Sequence, residues 1–333
     1  NAARRGILIK GGRSLEATGR VNAAVFDKTG TLTYGKPRVT TIRSFSEKSE
    51  QDVLTRAALA EKFSEHPLAK AIIHKAQELG ISVPDPSEFK VILGRGVVAR
   101  TSEQEVILGN RKLLIDRRIK LPPEAEEFLV LRESKGETCL LLAEDERFLG
   151  VISIADVLRE GTRQAIAAMR ESGVKKIMML TGDNNRTAEA IASLAGIVEF
   201  AADQLPEDKV NTVKRLKEQY KVAVIGDGIN DAPALATADV GIAMGAIGSD
   251  TAIEAADIAL LADDLTQVAQ AVRLSRRALR TITVNIFLFS LGLNAVGMYL
   301  AIGGLVGPVM AAVLHNVASV LVVLNSARLI RYR

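Results

Sequence analysis

Asp27-Lys28-Thr29-Gly30-Thr31-Leu32-Thr33 follows a short apolar run, Ala23 to Phe26, and that order decides the fold. A carboxylate at a strand end, then a Lys and a loop of Gly and small hydroxyl residues, can aim backbone N–H groups at a phosphate. Three further apolar runs, Lys176 to Leu180, Val222 to Ile225 and Val240 to Ala243, each end in a Gly/Asp-rich turn. Helical patterns at Arg159 to Ser172, Thr187 to Ala195 and Lys209 to Gln219 lead into or separate these runs. Such alternation predicts an α/β fold with a doubly wound parallel sheet. Ligands of such sheets bind at the carboxyl ends of the strands, which here carry Asp27, Thr181-Gly182-Asp183 and Asp227-Gly228-Ile229-Asn230-Asp231.

Between the first strand and the others runs an excursion from about Pro37 to Gly150 with elements of its own. A helix is predicted from Pro67, a favoured residue at the first helical position, to Glu78. Strand-like runs follow at Lys90 to Leu93, Glu105 to Leu108, Thr138 to Ala143 and Phe148 to Ile154. The expectation is a second, α+β domain inserted into the first. A chain of 333 residues suits roughly two domains of about 150 residues each.

Lys plus Arg count 43 against 39 Asp plus Glu, with no block of like charge, so nucleic acid is not implied as a partner. The single cysteine, Cys139, excludes an internal disulfide and a thiolate cluster, and its apolar surroundings suit a core residue. Hydrophobic residues reach 48%, and the excess sits at the far end. Val284 to Gly304 and Leu305 to Leu324 lack Asp, Glu, Lys and Arg, and each is long enough to cross a bilayer core of roughly 30 Å. Arg273, Arg276, Arg277 and Arg280 precede the pair, and Arg328, Arg331 and Arg333 follow it, so both flanks are expected on the cytoplasmic side. Gly303 to Pro308 would be the outer turn of a helical hairpin. The alternative for the same runs is a buried helix pair of a soluble protein.

An Asp placed like Asp27 can act as a nucleophile and form an aspartyl-phosphate. Asp227 and Asp231 are candidate oxygen ligands for Mg²⁺, Thr181 can hold phosphate oxygens and Lys209 can offset charge. Gly30 to Lys36 matches half of a P-loop, but Pro37 stands where Ser or Thr should meet Mg²⁺.

With these residues in view, DKTGTLT, TGD and GDGINDAPALA resemble the P-type ATPases in sequence and order. The strand order resembles their haloacid-dehalogenase-like phosphorylation domain. The resemblance implies Asp27 as the phosphorylated nucleophile, Lys28 and Lys209 as charge partners, and Thr181, with Gly182 and Asp183, around the phosphate. It further implies Mg²⁺ held by Asp27, the Thr29 carbonyl and Asp227, with Asn230 and Asp231 in support.

Glu61, Ser64-Glu65-His66-Pro67, Gly94-Arg95-Gly96 and Gly109-Asn110-Arg111 are similar to the nucleotide-binding domain of heavy-metal-transporting P-type ATPases. That likeness implies that Glu61, His66, Gly94, Gly96 and Asn110 hold ATP. A lone His before Pro is ordinarily a helix-start residue, and only its company argues for more. His74 has no such company and reads as a surface or packing residue. Asp156 resembles a family hinge position, with a plain turn Asp as the alternative.

Asn294 in the first apolar run and His315, Asn316 and Ser319 in the second fall near mid-bilayer, where polar groups usually mark a pathway. Hydrogen bonding between helices is the plainer reading. Imidazole with amide and hydroxyl neighbours suits Zn²⁺, Co²⁺, Mn²⁺ or Cd²⁺ better than soft Cu(I). Family copper pumps carry Tyr-Asn and Met-x-x-Ser-Ser here, and zinc and cadmium pumps an Asp near the place of His315. This chain has Leu293-Asn294 and His315-Asn316-Val317-Ala318-Ser319, and Met310 keeps copper open.

The resemblance implies segments 1–19 (stalk), 20–36 with 153–272 (phosphorylation), 37–152 (nucleotide binding), and membrane helices 284–304 and 305–327. No TGE loop or Cys-Pro metal motif occurs in the chain. The expectation is therefore a fragment of an ATP-driven metal exporter, lacking the actuator domain and earlier membrane helices. It would sit multi-pass in a membrane, the bacterial plasma membrane by likeness, with its catalytic domains cytoplasmic. A soluble aspartate-nucleophile phosphatase is the alternative, but such enzymes place a second Asp two residues after the nucleophile, where this chain has Thr29.

Overall fold

The computed structural model describes residues 6–331 except 103, 229, 230, 246–253, 255 and 263. From the N-terminal side, β1 (Ile7–Ile9), a helix (Gly11–Arg20) and β2 (Ala23–Asp27) lead into an antiparallel unit. That unit contains β3 (Arg38–Ser44), helices Glu50–Glu61 and Pro67–Glu78, β4 (Glu88–Ile92), β5 (Gly96–Arg100) and β6 (Glu105–Gly109). Helices Arg111–Asp116 and Pro123–Glu133 precede its last strands, β7 (Thr138–Glu144) and β8 (Arg147–Ala155). The chain then returns through helix Thr162–Glu171 to β9 (Lys176–Leu180), helix Asn185–Ala195, β10 (Glu199–Ala201) and helix Pro206–Lys217. It continues with β11 (Val222–Gly226), helix Ala232–Thr237, β12 (Val240–Ala243) and β13 (Ile258–Leu260).

Among the described residues the first sheet runs β1-β13-β12-β11-β2-β9-β10, parallel throughout except for β1 against β13. From β2 the chain goes to β9 and β10 on one side, then crosses to β11 on the other, so the strand order reverses between β2 and β11. Asp27 and Asp227 sit at that switch point, where open α/β sheets bind ligands. Every residue of β2 and of β11 is buried. Both faces carry helices, which is why the strands read as continuous apolar runs rather than alternations.

The second sheet is antiparallel in the order β3-β8-β7-β6-β5-β4. Pairing of β3 with β8 closes the insert on itself, so its sheet spans Arg38–Ala155. The expected return at residue 153 falls inside β8. Two strands of this sheet, β3 and β5, lie outside the runs that the sequence predicts, as do β1, β10 and β13 of the first sheet. In β3 the burial pattern is mixed, and β5 begins at Gly96, a residue that ordinarily weakens a strand. The Glu50–Glu61 helix also went unread, although Ser49 and Asp52 form a reciprocal capping box at its start. Cys139 is buried among the apolar side chains of the insert, its Sγ 3.6 Å from Ser153 Oγ.

The apolar end differs from expectation in where its helices begin. Helix Thr266–Ile302, 37 residues, is continuous, so the run from 284 is its distal half rather than a separate element. Its first half buries Val268, Ala271, Val272, Ser275 and Ala278, a stripe at three- and four-residue spacing. At Gly19 a Cβ would lie 2.5 Å from Leu279 Cδ1, so Gly there lets the Gly11–Arg20 helix lie close against this one. The second apolar helix starts at Pro308, not 305, and ends at Ala327. His74 is exposed beside Glu78, 3.2 Å away, as a surface residue should be.

Candidate active site

β2 delivers Asp27 to the sheet edge, where it is 8% exposed. Lys209, from helix Pro206–Lys217, places its Nζ 2.5 Å from Asp27 Oδ1 and 2.8 Å from Asp231 Oδ1. Burial first, then the Asp231 and Asp227 charges, push the Asp27 carboxyl up to about 7 against the pull of Lys209. Burial pulls the Lys209 ammonium down, but the two carboxylates outweigh it and hold the group above its ordinary range. Two acids thus share one lysine, with the Asp227 charge acting on Asp27 as well, and Asp231 Oδ2 is buried with no hydrogen-bond partner.

A second ion pair lies beside the first. Lys28 Nζ sits 2.5 Å from Asp183 Oδ2. Asp183 also accepts from Thr181 Oγ1 at 3.0 Å and from Thr138 Oγ1 at 2.8 Å. Burial would raise the Asp183 carboxyl, but Lys28 and the two hydroxyls hold it below the usual carboxylate range. Gly182 opens the turn between Thr181 and Asp183, and a Cβ there would meet the Gln204 carbonyl at 3.5 Å.

The loop after Asp27 is irregular: Thr29 is extended and Gly30 has φ 74°. A Cβ on Gly30 would come within 3.2 Å of Asp227 Cβ, so the glycine is required by backbone angle and by the approach of Asp227. Arg159, 5% exposed, donates to the carbonyls of Thr31 and Gly30, each at 2.9 Å. The Thr33 hydroxyl sits 2.6 Å from Asp156 Oδ2, and that carboxylate also accepts the Gly35 and Lys36 N–H groups, each at 3.2 Å. Asp156 therefore ties the outgoing connection to the returning one, more than a plain turn residue does. Arg159 and Thr138 were not singled out in the sequence, because their partners are 128 and 45 positions away. Asn230 lies outside the described residues.

Among the described residues no three His, Cys, Asp or Glu form a ready-made cation cage. Lys209 spans the Asp27–Asp231 pair. Mg²⁺ ordinarily takes one or two carboxylates with waters and substrate phosphate rather than an all-protein cage. The surplus of acid and the unpartnered Asp231 oxygen fit that requirement.

In the insert, the candidate nucleotide residues fall into two local groups. Glu61 ends its helix, Ser64 N–H donates to its carbonyl at 2.9 Å, and His66 N–H donates to Ser64 Oγ at 3.3 Å. Burial raises the Glu61 carboxyl, with the Ser64 hydrogen bond opposing. His66 caps the Pro67–Glu78 helix, its Nδ1 accepting the Leu68 N–H at 3.2 Å, which leaves the ring hydrogen on Nε2. Partial burial first, with the Lys28 charge adding to it and Asp183 opposing, holds the imidazole below its usual range. Asn110 caps Arg111–Asp116 and donates from Nδ2 to the Gly94 carbonyl at 2.9 Å. Gly96 has φ 145°, and a Cβ on it would lie 2.2 Å from the Leu108 carbonyl oxygen, so strand pairing itself demands glycine there.

In the apolar hairpin, Asn294 Oδ1 and His315 Nδ1 are 3.1 Å apart. Ser319 donates back to the His315 carbonyl at 3.2 Å, and Asn316 is exposed. A second polar group was missed: Asn285 Nδ2 donates to Ser326 Oγ at 2.8 Å and Asn325 Nδ2 to Asn285 Oδ1 at 2.7 Å. The signal that found Asn294, an amide in an apolar run, applied equally to Asn285. At about 100° per residue, Asn285 and Asn294 would face opposite ways on an α-helix. The helix is π-wound from Asn285 to Gly292, which turns less per residue, and both amides reach the second helix.

A switch-point aspartate answered by one lysine from its own loop and one from the helix before the next strand is the architecture of the haloacid dehalogenase-like hydrolases. The chain belongs to that family, whose model matches residues 21–239. Over its whole length it is similar to part of the metal-transporting P-type ATPases. It is 46% identical over 335 residues to the manganese-exporting P-type ATPase of Mycobacterium leprae, covering 100% of this chain and 46% of that protein. To the copper-exporting P-type ATPase of Bacillus subtilis it is 43% identical over 332 residues, covering 98% of this chain and 40% of the relative. A crystal structure of a zinc-transporting PIB-type ATPase in an E2.Pi state superposes with TM-score 0.69 at 41% identity, over 98% of this chain and 53% of that one. The chain spans about half the length of the relatives it matches.

Proposed function

We propose that this chain supplies the phosphorylation site, the nucleotide-binding unit and a membrane hairpin of an ATP-driven transition-metal exporter. Asp27 attacks the γ-phosphate of ATP, the bond to the bridging oxygen breaks, and ADP leaves an aspartyl-phosphate behind. Lys209 and Lys28 offset the charge on the transferred group, and Thr181 holds its oxygens. Mg²⁺, held by Asp27, the Thr29 carbonyl and Asp227 with Asn230 and Asp231 in support, would neutralise charge on the phosphate oxygens. Glu61, His66, Gly94, Gly96 and Asn110 of the insert hold the nucleotide, and movement of that unit gates transport.

The observation that carries this reading is the Asp27–Lys209–Asp231 cluster at the switch point. The hairpin lies in a membrane, with the catalytic units on the cytoplasmic side, the rest of the pump polypeptide as its partner and no nucleic acid. The transported ion passes Asn294, His315, Asn316 and Ser319. Imidazole and amide oxygen suit Zn²⁺, Co²⁺, Mn²⁺ or Cd²⁺, with Cu(I) the second reading because a relative exports copper.

The test is ³²P incorporation from ATP into the intact pump in detergent, scored as acid-stable, hydroxylamine-labile label across Zn²⁺, Co²⁺, Mn²⁺, Cd²⁺ and Cu(I). Metal-dependent labelling lost in Asp27→Asn is expected. Label that survives in Asp27→Asn would remove Asp27 as nucleophile. Label indifferent to every metal would remove the transport coupling and favour a phosphatase.

A further inference from the structure

Asp183 takes hydrogen bonds from two different units of the chain. Its Oδ2 faces Lys28 and Thr181 of the phosphorylation sheet, and its Oδ1 accepts from Thr138 Oγ1, at the first position of β7 in the inserted sheet. Thr138 is held in that place by a clasp. Glu133 Oε1 accepts from Asn184 Nδ2 at 2.8 Å, and the Thr187 hydroxyl donates to the Glu137 carbonyl at 2.9 Å. Gly136, φ 81°, presses so close that a Cβ would lie 2.8 Å from Ile191 Cδ1. Glu133, 2% exposed, is also bound by Arg111 at 2.6 Å, and Arg111 is the neighbour of Asn110.

We propose that Thr138 is a positioning residue through which the inserted unit sets the phosphorylation site. Resting on the phosphoryl-transfer reading above, it acts through Asp183 on Lys28 and touches neither phosphate nor nucleotide. A β-branched side chain suits the task, because its χ1 is stiff and the hydroxyl follows the backbone of β7. With the insert docked, Thr138 fixes Oδ1, so Oδ2 stays aimed at Lys28 and the ammonium is held at the Asp27 loop. With the insert withdrawn, Asp183 loses that donor and Lys28 its fixed counter-ion, so the site is complete only when the nucleotide-carrying unit is in place.

Thr138→Val removes the hydroxyl at nearly constant shape, and Thr138→Ser restores it. Measured in the intact pump, phosphoenzyme formation at saturating ATP should slow roughly tenfold in Thr138→Val, the factor expected for a hydrogen bond to a charged group. The ATP concentration for half-maximal rate should stay within about twofold, and Thr138→Ser should label at close to the wild-type rate. A wild-type rate in Thr138→Val overturns the proposal, as does a raised ATP requirement at an unchanged maximal rate, since Thr138 would then only seat the insert. If Thr138→Ser melts like wild type yet labels as slowly as Thr138→Val, the hydroxyl is not the cause and the proposal fails. Failure of the underlying reading shows separately, as a wild-type protein that takes no label.

Discussion

Asp183 keeps its charge in a nearly closed site because Lys28 and two hydroxyls repay its lost hydration. Replacing it by Asn leaves the Lys28 ammonium buried beside a neutral amide, and removal of one member of a buried pair costs about 3–5 kcal/mol. Asp183→Asn should therefore lower stability by about 3 kcal/mol at pH 7 in urea denaturation. The sign with pH follows from the direction of the shift. The folded carboxyl lies below its ordinary value, so its contribution is present above about pH 4 and is lost as pH falls through the lowered folded value. Wild type should lose stability more steeply below pH 4 than Asp183→Asn does, and parallel slopes would refute the pair's role. Asp27, Asp183 and Asp231 were legible because Gly-rich turns bracket them at strand ends. Arg159 and Thr138 were not, since spacing within a motif says nothing of a partner from a distant segment.

At the scale of elements, Gly96 at the start of β5 and Gly80 after the Pro67–Glu78 helix separate two demands on glycine. Gly96 and Gly80 both have positive φ, but a Cβ on Gly96 would strike the Leu108 carbonyl while one on Gly80 meets nothing within 4 Å. Gly80→Ala should cost about 1 kcal/mol through its backbone angle alone. Gly96→Ala should cost clearly more, at least about 2 kcal/mol, because strain and clash add. Equal losses in thermal or chemical denaturation would show that the sheet tolerates a side chain at Gly96 and would return it to a purely ligand-facing role. The Pro67–Glu78 helix was readable to the residue because Pro and its cap are local signals. The π-wound segment Asn285–Gly292 was not, because apolar composition is the same for either winding.

For the whole molecule, the Thr266–Ile302 helix has two jobs along one axis. Its first half completes the core of the parallel sheet, and its second carries exposed Ile286, Phe287, Leu288 and Leu291 out of it. A chain ending after Arg280 should stay in the supernatant without detergent, because it keeps the stripe to Ala278 and sheds the apolar hairpin. A chain ending before Thr266 should precipitate or unfold, having lost that stripe from the core. Ultracentrifugation with and without detergent checks both, and an Arg280-terminated chain that sediments would show that the hairpin is not what demands lipid.

What the sequence determined by itself was whatever short-range order encodes: apolar runs that end in Asp, the sheet they imply, the insert between them and two long apolar helices. These follow from hydrophobic burial and turn chemistry, which act over a few residues. Only the tertiary structure decided that Lys209 stands between Asp27 and Asp231, that Arg159 holds the loop carbonyls, and that Thr138 of the inserted sheet reaches Asp183 in the turn after β9. Those contacts join residues as many as 182 positions apart, and they exist because packing of helices and sheets, not local propensity, sets where each strand end lies.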